Sequence, residues 1–468
     1  MTQHGITIPA VLDESRLQRM HEAALVMLDK TGMFVENEEI REALADRSGF
    51  ILDGHRIRIG AAAVEAWMAA FRKDSKENRP EPAMERICRV ADRPTWVVER
   101  DHSTTRPSLR EDAIAGAKLI RMLEPRGVRG ATPCVPTDVP LALQPFEQFM
   151  IGATYSSGGG LTANVCDIPT ARYIREMNSV YGRGKHIGVW YPSPLSFSGD
   201  SVEMIWHFRD DTDSTFVGSM PIMGLTGPCD PVGTMTLAMA EAVGGATILT
   251  ELLPDVVAGI FPHPQPANLR TGTIVLGSPE WELLELMHRD VIQWYGGNMT
   301  TKLIHTMSNL PDAQAQIEHS QGALLGALGG YKVFEAVGQL AIDVVWCPEQ
   351  LLLDLDIIDH AHRITRGADS GAGLEVANLA EVVDRVVRED ITFAESETTV
   401  PNIGSQYWEP ALLHRMDAPA WRDSDMGDLL DAAQTEADRL IGEYDFDPPQ
   451  DILKELDSIY ARAKDELG

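Results

Sequence analysis

Residues 256–296 read VVAGIFPHPQPANLRTGTIVLGSPEWELLELMHRDVIQWYG. A short apolar run, VVAGIF, meets prolines at 262, 264 and 266. Each proline removes a backbone donor and fixes its own φ. Each also pushes the residue before it into an extended conformation. Neither a helix nor an interior strand continues through three of them. The run therefore ends as a strand, FPHPQPANLR leaves it as a stiff loop, and EWELLELMHRDVIQWYG follows as an amphipathic helix. Phe261, His263, Gln265, Asn268 and Arg270 sit on or beside that loop, and loops at strand ends are where sites tend to be built. Taken alone, the same residues also read as a proline-rich surface turn.

The strand–loop–helix rhythm recurs in both directions from this unit. Toward the C-terminus, GNMTTKLIHTMSNLPD leads to AQAQIEHSQGALLGALGG, and YKVFEAVGQLAIDVVWCP leads to EQLLLDLDIIDHAHRITRG. Toward the N-terminus lie FVGSMPIMGLTGPCDPVG, HIGVWYPSPLSFSGD, GGLTANVCDIP and GVRGATPCVPTDVP, each followed by its own helix. That makes seven units, and WVVERDHS supplies a further strand. Repeated βα units imply parallel strands joined by right-handed crossovers. About eight imply a (β/α)8 TIM barrel with its active site among the loops at the strand C-termini. A doubly wound open sheet is the alternative, but neither GxGxxG after an early strand nor GxxxxGK[ST] occurs. The expected division is a helix-and-hairpin region over 1–92, the barrel over 93–369, and a helical extension over 370–468 that packs on the barrel. In the first, DESRLQRMHEAALVMLDKTG has apolar residues at helical spacing, with Asp13 or Ser15 as cap and Gly32 as stop. FILDGHRIRI carries Asp-Gly between two short apolar runs, a hairpin signal.

Bulk composition narrows the function classes. The 468 residues carry 40 Lys+Arg against 70 Asp+Glu, a formal charge of −30. Nucleic-acid binders carry basic patches, so this balance argues against that partner and against an anionic membrane surface. No apolar run approaches the ~20 residues of a membrane helix, and MTQHGITIPAVLDESRLQ has no secretory pattern. The five cysteines are scattered and never form CxxC. They read as reduced thiols of a cytoplasmic enzyme.

On the barrel reading, strand-end loops hold Trp190, Tyr191 and Phe197, then Phe261 and His263, then Lys302 and His305, then Phe334 and Trp346. Aromatic faces bind trimethylammonium-type cations through the ring quadrupole; the competing reading is that several of these rings pack the barrel. Trp206, Trp281 and Trp294 lie in helical stretches and read as core. His360 and His362 point to different helix faces, and His263 with His305 lacks an evident third ligand, so no tightly bound metal is expected. No GxSxG elbow is present. Asp354, Asp356 and Asp359 read as a solvated helix face. Glu335 and Asp343 flank AVGQLAI, where a buried carboxylate needs a partner.

Three stretches together resemble the trimethylamine methyltransferase superfamily, in its branch without pyrrolysine, which includes glycine betaine:corrinoid methyltransferases. They are GSPEWELLELMHRDVIQWYG (277–296), SNLPDAQAQIEHSQGALLGALGG (308–330) and GQLAIDVVWCPEQLLLDLDIIDHAHRITRG (338–367). VMLDKTGMFVENEEIREALADRSGFILDGHRIRI is similar to the family's N-terminal region. The resemblance implies a TIM barrel that moves a methyl group from a methylated amine to the Co(I) of a corrinoid (cobalamin) carried by a partner protein. Pyrrolysine in the trimethylamine enzymes lies in a strand corresponding to AVGQLAIDVV. Here only standard residues stand there, with Gln339 nearest the equivalent position, which turns the expectation from trimethylamine toward a quaternary amine, glycine betaine first.

On that basis Gln339 and Asp343 are the expected catalytic positions. Trp190, Tyr191, Phe261, His263, Gln265, Arg270, Phe334 and Trp346 are expected to bind substrate, with Arg270 suited to a carboxylate because its fork takes both oxygens. Lys302 and His305 are expected to meet substrate or the corrinoid tail. A homo-oligomer is expected, with no nucleic-acid or membrane partner. Proline betaine, carnitine and γ-butyrobetaine are rival substrates. A barrel lyase using Lys302 as a Schiff base and a non-catalytic quaternary-amine sensor are the readings from other classes.

Overall fold

The computed structural model describes residues 5–78, 86–157, 165, 167–253, 255–298, 301–367, 378–395, 399, 403–424 and 427–468. Two parallel sheets form its centre. In the first, Gly259–Pro262, Ser214–Ser219 and His186–Tyr191 lie side by side, with Gly218 opposite both Trp190 and Phe261. In the second, the order is Thr301–Leu303, Val333–Glu335, Ile87–Arg89 and Val128–Arg129, all parallel. Each of these strands is followed along the chain by a helix, as the sequence rhythm predicts; the longest of these helices are Pro231–Leu252, Pro279–Tyr295 and Pro348–Thr365. The architecture is thus α/β, and among the described residues no strand pairing joins the two sheets. The strand expected in GGLTANVCDIP falls largely outside the described residues, whereas its helix, Ile168–Val180, is present with Asp167 accepting from the Thr170 N–H.

Two strand readings need correction. WVVERDHS does give a strand, Trp96–Val98, but it pairs with Thr105–Pro107 and Val345–Trp346 in a separate small sheet. The parallel sheet instead takes Ile87–Arg89, which lies before residue 93, inside the span assigned to the helix-and-hairpin region. Three residues are too few to show an alternation, so only the pairing reveals the strand. Similarly, YKVFEAVGQLAIDVVWCP contributes just Val333–Glu335 to the parallel sheet. Ala336 then turns at φ +70°, and Gln339–Leu340 folds back on Val345–Trp346 as an antiparallel hairpin.

The N-terminal region follows its sequence closely. Asp13 caps Glu14–Lys30 by accepting from the Arg16 N–H, and Gly32 takes φ +67° after the helix. Phe50–Asp53 and Arg56–Ile59 form the Asp-Gly hairpin. Leu17, Met20, Ala24 and Leu28 are buried in one core with Met235, Met239, Val243 and Ala246 of Pro231–Leu252. That helix is long and apolar enough to cross a membrane, contrary to the run-length reading, but 83% of its apolar window is buried inside the protein. Its apolar surface is spent on the sheet on one side and the N-terminal helices on the other.

The aspartates of Pro348–Thr365 are also corrected: Asp354 and Asp356 are buried. Asp356 accepts from the N–H groups of Ala411, Leu412 and Leu413, at 3.1, 2.7 and 3.1 Å. Toward the C-terminus, Leu429–Gly442 buries Ala433, Ala437 and Leu440 beside Leu119 and Leu355. Gln450–Leu467 buries Leu456, Ile459 and Ala463 against Phe146, Phe149 and Met177. Cys88, Cys134, Cys229 and Cys347 are free thiols.

Candidate functional site

Alternation along the first sheet sorts its side chains. Ile187, Val189 and Tyr191 are buried toward Pro231–Leu252, so Gly188 and Trp190 face the other way. On that second face Trp190, Phe216 and Phe261 meet edge to face, with ring centroids 5.5, 5.8 and 6.3 Å apart. All three rings are half-buried, leaving part of each accessible. Glycine is required beneath them: a Cβ at Gly188 would lie 2.9 Å from Phe216, and one at Gly218 would overlap the Trp190 ring. The strand ends are pinned from behind by buried Glu241, which accepts from Ser193 Oγ and Leu195 N, both at 2.7 Å, and from Ser219 Oγ. Burial raises the pKa of Glu241, and the three donors partly offset this.

The aromatic face continues into polar chemistry. Phe261 stacks on His263 and presents its face or edge to His288, each with centroids 4.7 Å apart. Pro279–Tyr295, N-capped by Ser278, supplies Trp281, Glu282, Glu285 and His288, all buried. Trp281 lies edge-on to His263 at 4.8 Å and near His305 at 5.7 Å. Glu285 is bonded to His263 Nε2 through Oε1, while Oε2 accepts from the Leu303 N–H at 3.3 Å. One carboxylate thus ties the outer strand of the first sheet to the outer strand of the second. Lys302 Nζ sits 3.0 Å from Glu282 and 3.5 Å from Glu285. Burial pushes the Glu285 carboxyl up, but Lys302 and His263 outweigh it and hold the group well below the usual carboxylate range. Glu282 keeps the upward shift from burial. Burial lowers His288 to about 3 and His305 to about 4, so both rings are neutral at pH 7.

A strained loop closes this region. Ala341 and Ile342 adopt φ +49° and +71°, a conformation that is rare for a β-branched residue and marks functional or over-determined sites. The loop is held by Ala341 N to Ser308 O at 2.6 Å and Ile342 N to Thr306 O at 2.7 Å. His305 Nδ1 donates to the Ile342 carbonyl at 2.8 Å. That fixes its tautomer and leaves Nε2 as an acceptor.

Of the residues singled out in sequence, Trp190, Phe261, His263 and His305 come together here. Tyr191 does not: its hydroxyl donates to the Glu241 carbonyl, and its ring packs on Phe197 in the helix-facing core. Phe334 and Trp346 are fully buried in a core with Leu351 and Leu355. Gln265 bonds the 220–221 turn, and Arg270 is exposed at the turn of an Ala267–Asn268/Thr273–Ile274 hairpin. Lys302 is 1% exposed and ion-paired, which removes it as a surface contact for a corrinoid tail and as a free Schiff-base amine. Gln339 is buried, its amide donating to the Ala91 carbonyl at 2.9 Å while its Oε1 has no partner. Asp343 is partly exposed, 3.7 Å from Arg93.

Phe216, Glu282, Glu285 and His288 were missed, whereas Trp281, read as core, is fully buried. For Glu285 and His288 the signal was present: with Trp281, Leu284, Val291, Ile292 and Tyr295 they form one buried helical stripe. Charged residues on an otherwise apolar stripe are informative because burial needs partners.

Known proteins similar to this chain share one enzyme class. The family model for trimethylamine methyltransferase matches residues 1–468. A trimethylamine methyltransferase of Methanosarcina acetivorans is 26% identical over 274 residues, 58% of this chain and 54% of that protein. A glycine betaine methyltransferase of Desulfitobacterium hafniense is 21% identical over 364 residues, 74% of this chain and 75% of that protein. The crystal structure of a Methanosarcina barkeri monomethylamine methyltransferase aligns over 92% of this chain and 93% of its own, with a TM-score of 0.46 and 13% identity. The match spans about half the length of several curated relatives, including that of Methanosarcina acetivorans. With its whole length accounted for by that model, the chain belongs to the trimethylamine methyltransferase family.

Proposed function

We propose that this protein demethylates a quaternary amine, glycine betaine first, and passes the methyl group to the Co(I) corrinoid of a partner protein. The observation that carries the reading is the half-buried trio Trp190, Phe216 and Phe261 on the sheet face opposite the helix core. Such faces attract a cation that has no N–H to satisfy, by about 0.5–2 kcal/mol per ring. Family membership supports methyl transfer, and similarity to a glycine betaine methyltransferase over 74% of the chain supports the quaternary amine. Free thiols at Cys88, Cys134, Cys229 and Cys347 fit a cytoplasmic setting.

The two parallel sheets are then arcs of one (β/α)8 barrel. In support, the first of the seven strands in these two sheets, Ile87–Arg89, pairs with the last of the seven, Val333–Glu335, as closure requires. The aromatic trio would line its interior at the strand C-termini.

The chemistry asks little proton traffic of the protein. A quaternary nitrogen already bears its charge, so the leaving group is a neutral tertiary amine. Trp190 and Phe261 would hold the onium head, with one methyl carbon facing the incoming cobalt. Positioning of this kind contributes up to about 7–11 kcal/mol. His263, stacked on Phe261, would face the far end of the substrate, a role Arg270 is too exposed to fill.

The test mixes the protein with cob(I)alamin and glycine betaine, proline betaine, carnitine, γ-butyrobetaine or trimethylamine, and follows methylcobalamin by absorbance. Methylcobalamin is expected with a betaine and not with trimethylamine. Trp190→Ala and Phe261→Ala should each raise the apparent KM. Absence of methylcobalamin with every amine, or unchanged kinetics in both variants, overturns the reading.

A further inference from the structure

The donor atoms of His263, Glu285 and His288 lie within 4.8 Å of one another, and all three side chains are buried. His288 is the residue hardest to explain as ordinary packing. Both of its ring nitrogens are buried, and neither has a hydrogen-bond partner. A buried polar atom left unpaired costs about 1–3 kcal/mol, so a purely structural role would favour an apolar residue at this position. The ring is hemmed in by Phe261 and His263, with centroids 4.7 and 5.3 Å away. Being neutral, it has a lone pair to give.

Glu285 is oriented from outside. Its Oε2 is engaged by the Leu303 N–H at 3.3 Å and lies 3.5 Å from Lys302 Nζ, while Oε1 turns to His263. Outer partners that fix a carboxylate in this way are a regular part of metal sites. Glu285 and His288 stand three residues apart on one helix, the Glu-x-x-His spacing that brings two ligands to one face.

We propose that His263, Glu285 and His288 bind a divalent transition-metal ion of the zinc class. Two imidazoles and one carboxylate are a ligand set that zinc accepts with its fourth position open to water or another oxygen donor. Magnesium and calcium, which want six or more oxygens, do not fit it. Tetrahedral zinc with bonds of about 2.0–2.1 Å holds its donors roughly 3.4 Å apart, so the three side chains close inward when the ion enters. The proton between His263 and Glu285 leaves to solvent as the ion takes its place. In sequence His263 was weighed with His305 and no third ligand was evident. Glu285 and His288 stand on the helix that follows His263 in the chain, Pro279–Tyr295.

The test needs no turnover and is independent of the methyl-transfer reading. Full-length protein is produced in zinc-supplemented medium, and its metal content is measured by mass spectrometry. Chelator-treated protein is then titrated with Zn²⁺ while the unfolding temperature is followed. About one zinc per chain and a rise in unfolding temperature on Zn²⁺ addition are expected. His288→Leu removes no hydrogen bond, so it should fold with an apo-like unfolding temperature. It should lose at least tenfold of the zinc affinity and its thermal response. Should that variant not fold, His288→Gln is measured in its place with the same expectation. Wild-type protein without zinc and without thermal response overturns the proposal. So does a His288 variant that keeps the wild-type content and response.

Discussion

Gly218 shows how much a single missing Cβ matters. Its position opposite Trp190 lets the indole lie flat across the strand, and a methyl group there would overlap the ring. Gly218→Ala should therefore cost about 1–3 kcal/mol in urea unfolding, typical of overpacking, and should weaken amine binding by displacing Trp190. His305 contributes to the pH dependence at this scale, alongside His288, which burial lowers further. Burial lowers His305 to about 4 from 6.5, so between those values the unfolded chain binds a proton that the folded one refuses. Through His305 alone stability should then fall on acidification from about pH 6.5 to 4, by up to about 1.4 kcal/mol per pH unit, and be flat above that window. Urea unfolding at neutral and mildly acidic pH should show His305→Gln losing less stability than wild type. The aromatic candidates Trp190 and Phe261 were readable because strand ends and rings are local signals. Tyr191 was misplaced for an equally local reason: one step along a strand reverses the face.

At the scale of elements, helix Pro348–Thr365 combines packing with a buried polar latch. Asp354 accepts from His319 Nδ1 at 2.6 Å, Gln350 Nε2 at 2.7 Å and the Gly338 N–H at 2.7 Å. It thereby ties two helices to the loop that bears Gln339. Asp354→Ala strands those donors, and a loss of about 2–4 kcal/mol is expected. Hydrogen exchange should show faster exchange at Gly338 than in wild type. Charge on a helix reads as solvated when only composition is considered, which is why Asp354 and Asp356 were assigned outward. Pro279–Tyr295 teaches the converse, since its Glu285 and His288 stand on the apolar stripe, where a polar side chain signals burial with a purpose although neither was singled out in sequence. Close approach also governs Pro231–Leu252, where a Cβ at Gly244 would lie 2.7 Å from Leu28 and 3.1 Å from Met33. Gly244→Val should lower stability by about 1–3 kcal/mol, measured by thermal unfolding.

Across the whole molecule, four buried clusters join elements distant in sequence, the third of them linking the last helix to Phe146, Phe149 and Met177. Leu456→Ala opens a cavity there and should cost about 2–5 kcal/mol. Removing residues 448–468 should expose that apolar face, read as increased binding of a hydrophobic dye. Sequence periodicity was sufficient for the order and type of the main units, the Asp13-capped first helix and the Asp-Gly hairpin, because caps, turns and apolar spacing act over a few residues. The family was legible by another route, the resemblance of the stretches 277–296, 308–330 and 338–367, and the family model matches residues 1–468. Which strands lie beside one another, which carboxylate bridges the sheets, and which rings share a face were fixed by long-range packing. Ile87–Arg89 is a strand because Val333–Glu335 and Val128–Arg129 flank it. Glu285 meets His263 because the helix between the sheets turns it there. Neither contact has a local cause, so no window of sequence contains it.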